Sequence, residues 1–110
     1  MARVRDSSGN AANLEGISEG MRHPDTVSVG TSTTEIVPRR PSRNYLLIIN
    51  DGTTTMYLGI GEDAVLNEGI RLNANGGSYQ MTPDGGNMSH RAINGIVSTG
   101  TAVALITESG

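Results

Sequence analysis

Cysteine, lysine, phenylalanine and tryptophan are all missing from this 110-residue chain. Without cysteine there are no disulfides, no thiolate metal sites and no thiol nucleophile. Without lysine the eight cationic side chains are all arginine, set against eleven acidic residues for a formal charge of -3. The densest basic cluster is Arg39, Arg40 and Arg43, too small for the basic stripe a polyanion needs, so nucleic acid is excluded as a direct partner. No apolar run approaches membrane-spanning length, and the opening MARVRDSSGNAA has no signal-peptide core. The expectation is a protein made and used in solution, away from membranes. With Tyr45, Tyr57 and Tyr79 as the sole aromatics, the core must be built from Ile, Leu, Val, Met and Ala. Ordering costs about 1.5 kcal/mol per residue, against roughly 1.5–3 kcal/mol for each large aliphatic buried. The margin is thin, and oligomerisation is a common remedy for so small a core.

What is present reads as strand. In Asn44–Ile60, NYLLIINDGTTTMYLGI, two apolar runs flank Asp51-Gly52. This dipeptide favours a two-residue type I′ turn and so predicts a hairpin. Tyr45, Leu47 and Ile49 fall on one face of the first run, with Leu46 and Ile48 on the other. Both faces are apolar, whereas a strand open to water on one side alternates. Further strands are predicted at Thr26–Val29, Thr33–Val37, Ile70–Asn73, Ser78–Thr82, Ile93–Thr99 and Thr101–Glu108, with a second tight turn at Asn75-Gly76-Gly77 and a turn at Gly100. Pro38 and Pro41 mark a stiff connection. The pattern predicts an all-β fold: a compact antiparallel β-sandwich, jelly-roll-like, over residues 26–110. The last strand is also apolar on both sides, with Val103 and Leu105 opposite Ala102, Ala104 and Ile106. Subunit contact through Leu46, Ile48, Ala102 and Ala104 is the expectation.

Residues 1–25 are polar and punctuated by glycine, with Val4, Leu14, Ile17 and Met21 as the sizeable apolar side chains. Leu14, Ile17 and Met21 stand at helical spacing, but Gly16 and Gly20 each weaken a helix by roughly 1 kcal/mol. A disordered tail is the plain alternative; the reading favoured is an extended arm that docks on a neighbouring chain through those four side chains. Arg39, Arg40 and Arg43 are either a solvated loop or guanidinium donors to carboxylates of a partner protein.

Catalytic and metal-binding patterns are weak. His23 and His90 have no second ligand at HxH or HxxxH spacing, and Ser89-His90 would point to opposite sides of a strand. Gly59-Ile60-Gly61 lacks the rest of a dinucleotide fingerprint. Glu62, Asp63 and Glu68, or Asp84 with Asn87, lack the repeated spacing of a calcium loop. No enzyme, metal or cofactor is expected. Tyr57 and Tyr79 could make a sugar-stacking platform, although packing within the sheet suits them better.

The segments TSTTEIVP, RNYLLIINDGTTTMYLGIG, GIRLNANGGSYQM and INGIVSTGTAVALITE, spread over Thr31–Glu108, resemble in their order small β-rich virion proteins of tailed phages. That resemblance implies a structural protein of the virion, found on the capsid exterior after synthesis in the host cytoplasm. Its role would be that of a decoration or cement protein: a homotrimer bound to the major capsid protein that stabilises the head. The alternative within the same family is a head-fibre or tail accessory module that binds host surfaces or carbohydrate. Residues 1–25 lie outside the resemblance; such extensions often form the capsid-binding arm.

Overall fold

A computed structural model describes residues 26–110. The proposed arm, with Val4, Leu14, Ile17 and Met21, lies outside the described residues. Eight strands follow one another: β1 (Val27–Val29), β2 (Thr34–Val37), β3 (Tyr45–Asn50), β4 (Met56–Ile60), β5 (Ile70–Leu72), β6 (Ser78–Met81), β7 (Ile93–Val97) and β8 (Ala102–Ser109). Each lies inside a segment expected from the sequence, except that β8 runs on to Ser109, and there is no helix among the described residues. They form two four-stranded antiparallel sheets, ordered β1-β8-β3-β6 and β2-β7-β4-β5.

The pairing has a simple logic. β1 pairs with β8, β2 with β7, β3 with β6 and β4 with β5. These are the nested rungs of one long hairpin whose tip is the β4–β5 connection. Rolling that hairpin sends alternate rungs to opposite sheets, and β3·β8 and β4·β7 then join the rungs side by side. Every connection except β4–β5 therefore crosses between sheets.

The expected hairpin at Asp51-Gly52 does not form: β3 and β4 belong to different sheets. Neither Asp51 nor Gly52 takes the positive φ that a type I′ turn requires. The chain is held in a crossover instead. Asp51 N–H donates to the Val103 carbonyl at 2.8 Å, and Gly52 lies so close to Ala102 that an added Cβ would fall 2.4 Å from the Ala102 Cβ. The Asn75-Gly76 turn does form, with φ of 59° and 115°, but it too links strands of opposite sheets. It is tied to the β3–β4 crossover by Asn75 N–H to Gly52 O, Gly76 N–H to Asn50 O and Asn50 N–H to Gly77 O, each 2.8 Å.

Asn50 anchors this corner. It is fully buried; its Nδ2 donates to Thr54 O at 2.9 Å and Leu72 O at 3.1 Å, and its Oδ1 accepts Gly52 N–H at 3.0 Å. Leu72 is in the opposite sheet, so one side chain fastens the two layers. Asn50→Ala leaves those groups without their partner and is expected to cost about 1–3 kcal/mol, read as a lower urea midpoint at unchanged slope.

The core is aliphatic and thioether, as the composition demanded. Leu46, Ile48, Met81 and Ile106 from one sheet meet Met56, Leu58, Leu72, Ile93 and Val97 from the other, with Val29, Ile36 and Val37 closing one side. This corrects the assignment of subunit contacts. Leu46, Ile48, Ala102 and Ala104 point inward and are at most 2 % exposed, so they are already covered within one chain. A strand apolar on both sides gives no clue to which side faces in, and the two possibilities differ by a single residue of register.

Candidate functional site

Three places on the described body carry the residues singled out from sequence: the arginine loop, the acidic loops and the outer faces of the sheets.

The arginine loop divides. Arg43 is a core residue, its side chain 0 % exposed. Its Nε donates to Glu108 Oε2 at 2.8 Å, Nη1 to the carbonyls of Ser89 (2.8 Å) and Arg91 (3.0 Å), and Nη2 to Pro38 O (2.8 Å). Proline at 38 fixes the approach of that carbonyl, and Glu108 reaches inward because it shares the core-facing register with Leu46. The assignment of Arg43 to partner binding is therefore corrected: four of its N–H bonds are spent inside the fold. Arg40 is half-buried and donates through both Nε and Nη2 to the Gly110 carbonyl, the Nε bond being 3.1 Å. Its backbone N–H also binds His90 O at 2.8 Å. Arg39 alone of the three is exposed; it borders an open groove with Arg91, Glu62, Asp63 and Asn94. Charges of both signs line that groove, so it presents no single-sign field to a ligand.

The other candidates are scattered. Glu62, Asp63 and Glu68 border a second open groove beside Leu58 and Val65, and no group of three or more His, Cys, Asp or Glu among the described residues could hold a metal ion. Asn87 is committed to its own loop, accepting Thr82 N–H and donating to Tyr79 Oη and Gln80 O. His90 is exposed. His23 lies outside the described residues. Tyr57 is on the outside of its sheet, its hydroxyl donating to Asn67 Oδ1 at 3.0 Å, whereas Tyr79 pairs with Ile48 on the inner side of the other sheet. The two tyrosines share no surface and make no common sugar platform.

The outer face of the β1-β8-β3-β6 sheet is the feature that the sequence reading placed on the wrong side. Register sets out its rows: Ser28 with Val103; Leu105 with Ile49 and Ser78; Thr107 with Leu47 and Gln80; and Tyr45 beside Ser109. The centre is Leu47, Ile49, Val103 and Leu105, and the rim is serine, threonine, glutamine and the tyrosine, whose hydroxyl accepts from Gln80 Nε2 at 3.0 Å. No strand position on this face carries a charge. Val103 is 38 % exposed, Leu47, Ile49 and Leu105 are half-buried by their neighbours within the sheet, and among the described strands none packs over them. The outer face of the second sheet differs, with Glu35, Asn94, Tyr57 and Arg71 on its surface. The signal that marks this patch, Tyr45-x-Leu47-x-Ile49 with Val103-x-Leu105, was legible; which side of the strands faced water was not.

Compared with protein-family models, curated proteins and solved structures, the chain matches none.

Proposed function

We propose that this chain is a structural virion protein: a capsid decoration or cement protein that binds the major capsid protein on the outside of a phage head and reinforces it, acting by binding with no turnover. The observation that carries this reading is the uncharged aliphatic face of the β1-β8-β3-β6 sheet, left without a described cover. An apolar surface of this kind suits contact with another protein, a second copy of the chain included. The rolled-hairpin pairing supports a jelly-roll topology, an architecture that recurs in viral capsid domains and in lectins. Architecture alone does not fix function, and the separation of Tyr57 from Tyr79 weighs against the carbohydrate-binding variant of the reading.

In this reading three copies form a homotrimer that bridges neighbouring coat subunits, residues 1–25 reach across the coat protein, and exposed Arg39 pairs with coat carboxylates. The proposal is tested with heads that lack the protein. Full-length chain added back is expected to co-sediment with the heads and raise their resistance to heat or chelator. Deletion of residues 2–25 is expected to leave a folded β-body and abolish co-sedimentation. A full-length chain that does not bind heads, or a truncated one that binds undiminished, defeats the reading or its arm respectively.

A further inference from the structure

We propose that the outer face of the β1-β8-β3-β6 sheet is the surface through which copies of this chain touch one another. Leu47, Ile49, Val103 and Leu105 of one copy would lie against the same residues of a second. The contact itself rests on the geometry; only its stabilisation on a shell rests on the virion reading.

Charge selects the occupant. The chain carries a formal charge of -3, so two copies that meet through an arbitrary surface bring like charges together. The outer face of the second sheet presents Glu35 and Arg71, and the open grooves present Glu62, Asp63 and Glu68. The aliphatic face has no charged strand position, so it meets its own image without opposing like charges. A contact between identical patches is also the simplest that closes without building a filament.

Area sets the strength. The four strands contribute three, eight, six and four residues; about 4.8 Å apart and at about 3.3 Å per residue, they make a patch on the order of 300 Å² per copy. A stable pairwise interface buries about 800 Å² per partner. The contact is therefore weak in free solution, with a dissociation constant on the order of 0.1–1 mM. Copies held at fixed neighbouring sites experience an effective concentration on the order of millimolar, enough to populate it. Self-contact is thus coupled to docking: each bound copy favours its neighbour.

Sedimentation equilibrium of the full chain, from about 0.02 to 2 mM, tests this. The expected result is monomer at the dilute end and reversible association at the concentrated end, not weakened by salt because the contact itself carries no charge. Val103→Lys is expected to hold the chain monomeric throughout, with an unchanged circular dichroism spectrum. Arg71→Glu, on the opposite sheet, is expected to associate as the unaltered chain does. Should the lysine variant misfold, the isosteric Val103→Thr still has to weaken association severalfold. A dimer supports the proposal, since a contact between identical patches closes at two copies; a trimer formed without a dimer means a contact between unlike patches and overturns it. A chain that stays monomeric at 2 mM, or a Val103 variant that associates normally, overturns it. Head binding is scored separately: a chain that binds heads and never self-associates defeats this proposal alone, and one that self-associates without binding heads defeats only the virion reading.

Discussion

Arg43→Ala is expected to lower the stability of the domain by about 3–5 kcal/mol, the cost of leaving one member of a buried ion pair without the other. Total stability for a domain of this kind is about 5–15 kcal/mol, so the variant should lose a large fraction of it. The loss has two sources. Glu108, whose side chain is 6 % exposed, loses its guanidinium partner at 2.8 Å, and the carbonyls of Pro38, Ser89 and Arg91 lose their donor. Pro38 lies in the loop before β3, Ser89 and Arg91 lie in the loop before β7, and Glu108 is on β8, so the side chain holds those three elements in one arrangement. Replacing both Arg43 and Glu108 with apolar residues is not expected to restore stability, because the carbonyls still lack a donor. Arg39→Ala, by contrast, should change stability by no more than about 0.5 kcal/mol. Urea titration followed by circular dichroism measures all three variants; an Arg43→Ala midpoint equal to that of the unaltered chain would show that the buried cluster does not carry this stability.

The second large effect separates adjacent residues. Ile48 is fully buried and sits in the core cluster, so Ile48→Ala removes a side chain from between the sheets at about 2–5 kcal/mol. Ile49 faces outward beside Leu105 and Ser78, where losing a cross-strand partner costs about 0.2–1 kcal/mol. The same denaturation measurement on the two variants reads the orientation of β3 directly. Equal losses, or a larger loss at Ile49, would mean that the strand is turned the other way.

That comparison also shows where the sequence was legible and where it was not. Short β-branched and aliphatic runs, bounded by glycine, proline and asparagine, marked all eight strands, because strand length and turn chemistry are local properties. Pairing is not local. Asp51-Gly52 carries the strongest hairpin signal in the chain, yet a buried Asn50 and the close approach of Gly52 to Ala102 draw that segment into a crossover. Tertiary contacts outweighed turn propensity. The same limit governed the candidate site. Runs apolar on both sides announced surplus hydrophobic surface, but the side that stayed exposed depended on a register no local pattern encodes. Arg43 was misjudged for a related reason. An arginine between two prolines and a strand looks solvated, and the glutamate that draws it inward lies 65 positions further along.

The rolled hairpin has a consequence for how the protein comes into being. β8 lies between β1 and β3, and it is the last of the eight strands to be synthesised. Until it leaves the ribosome, β1 has no pairing partner and β3 lacks its longest one. The sheet therefore cannot close before β8 has emerged. Such non-local pairing places folding in the millisecond-to-second range; over that interval the apolar segments of a nascent chain stand open to one another and to other chains.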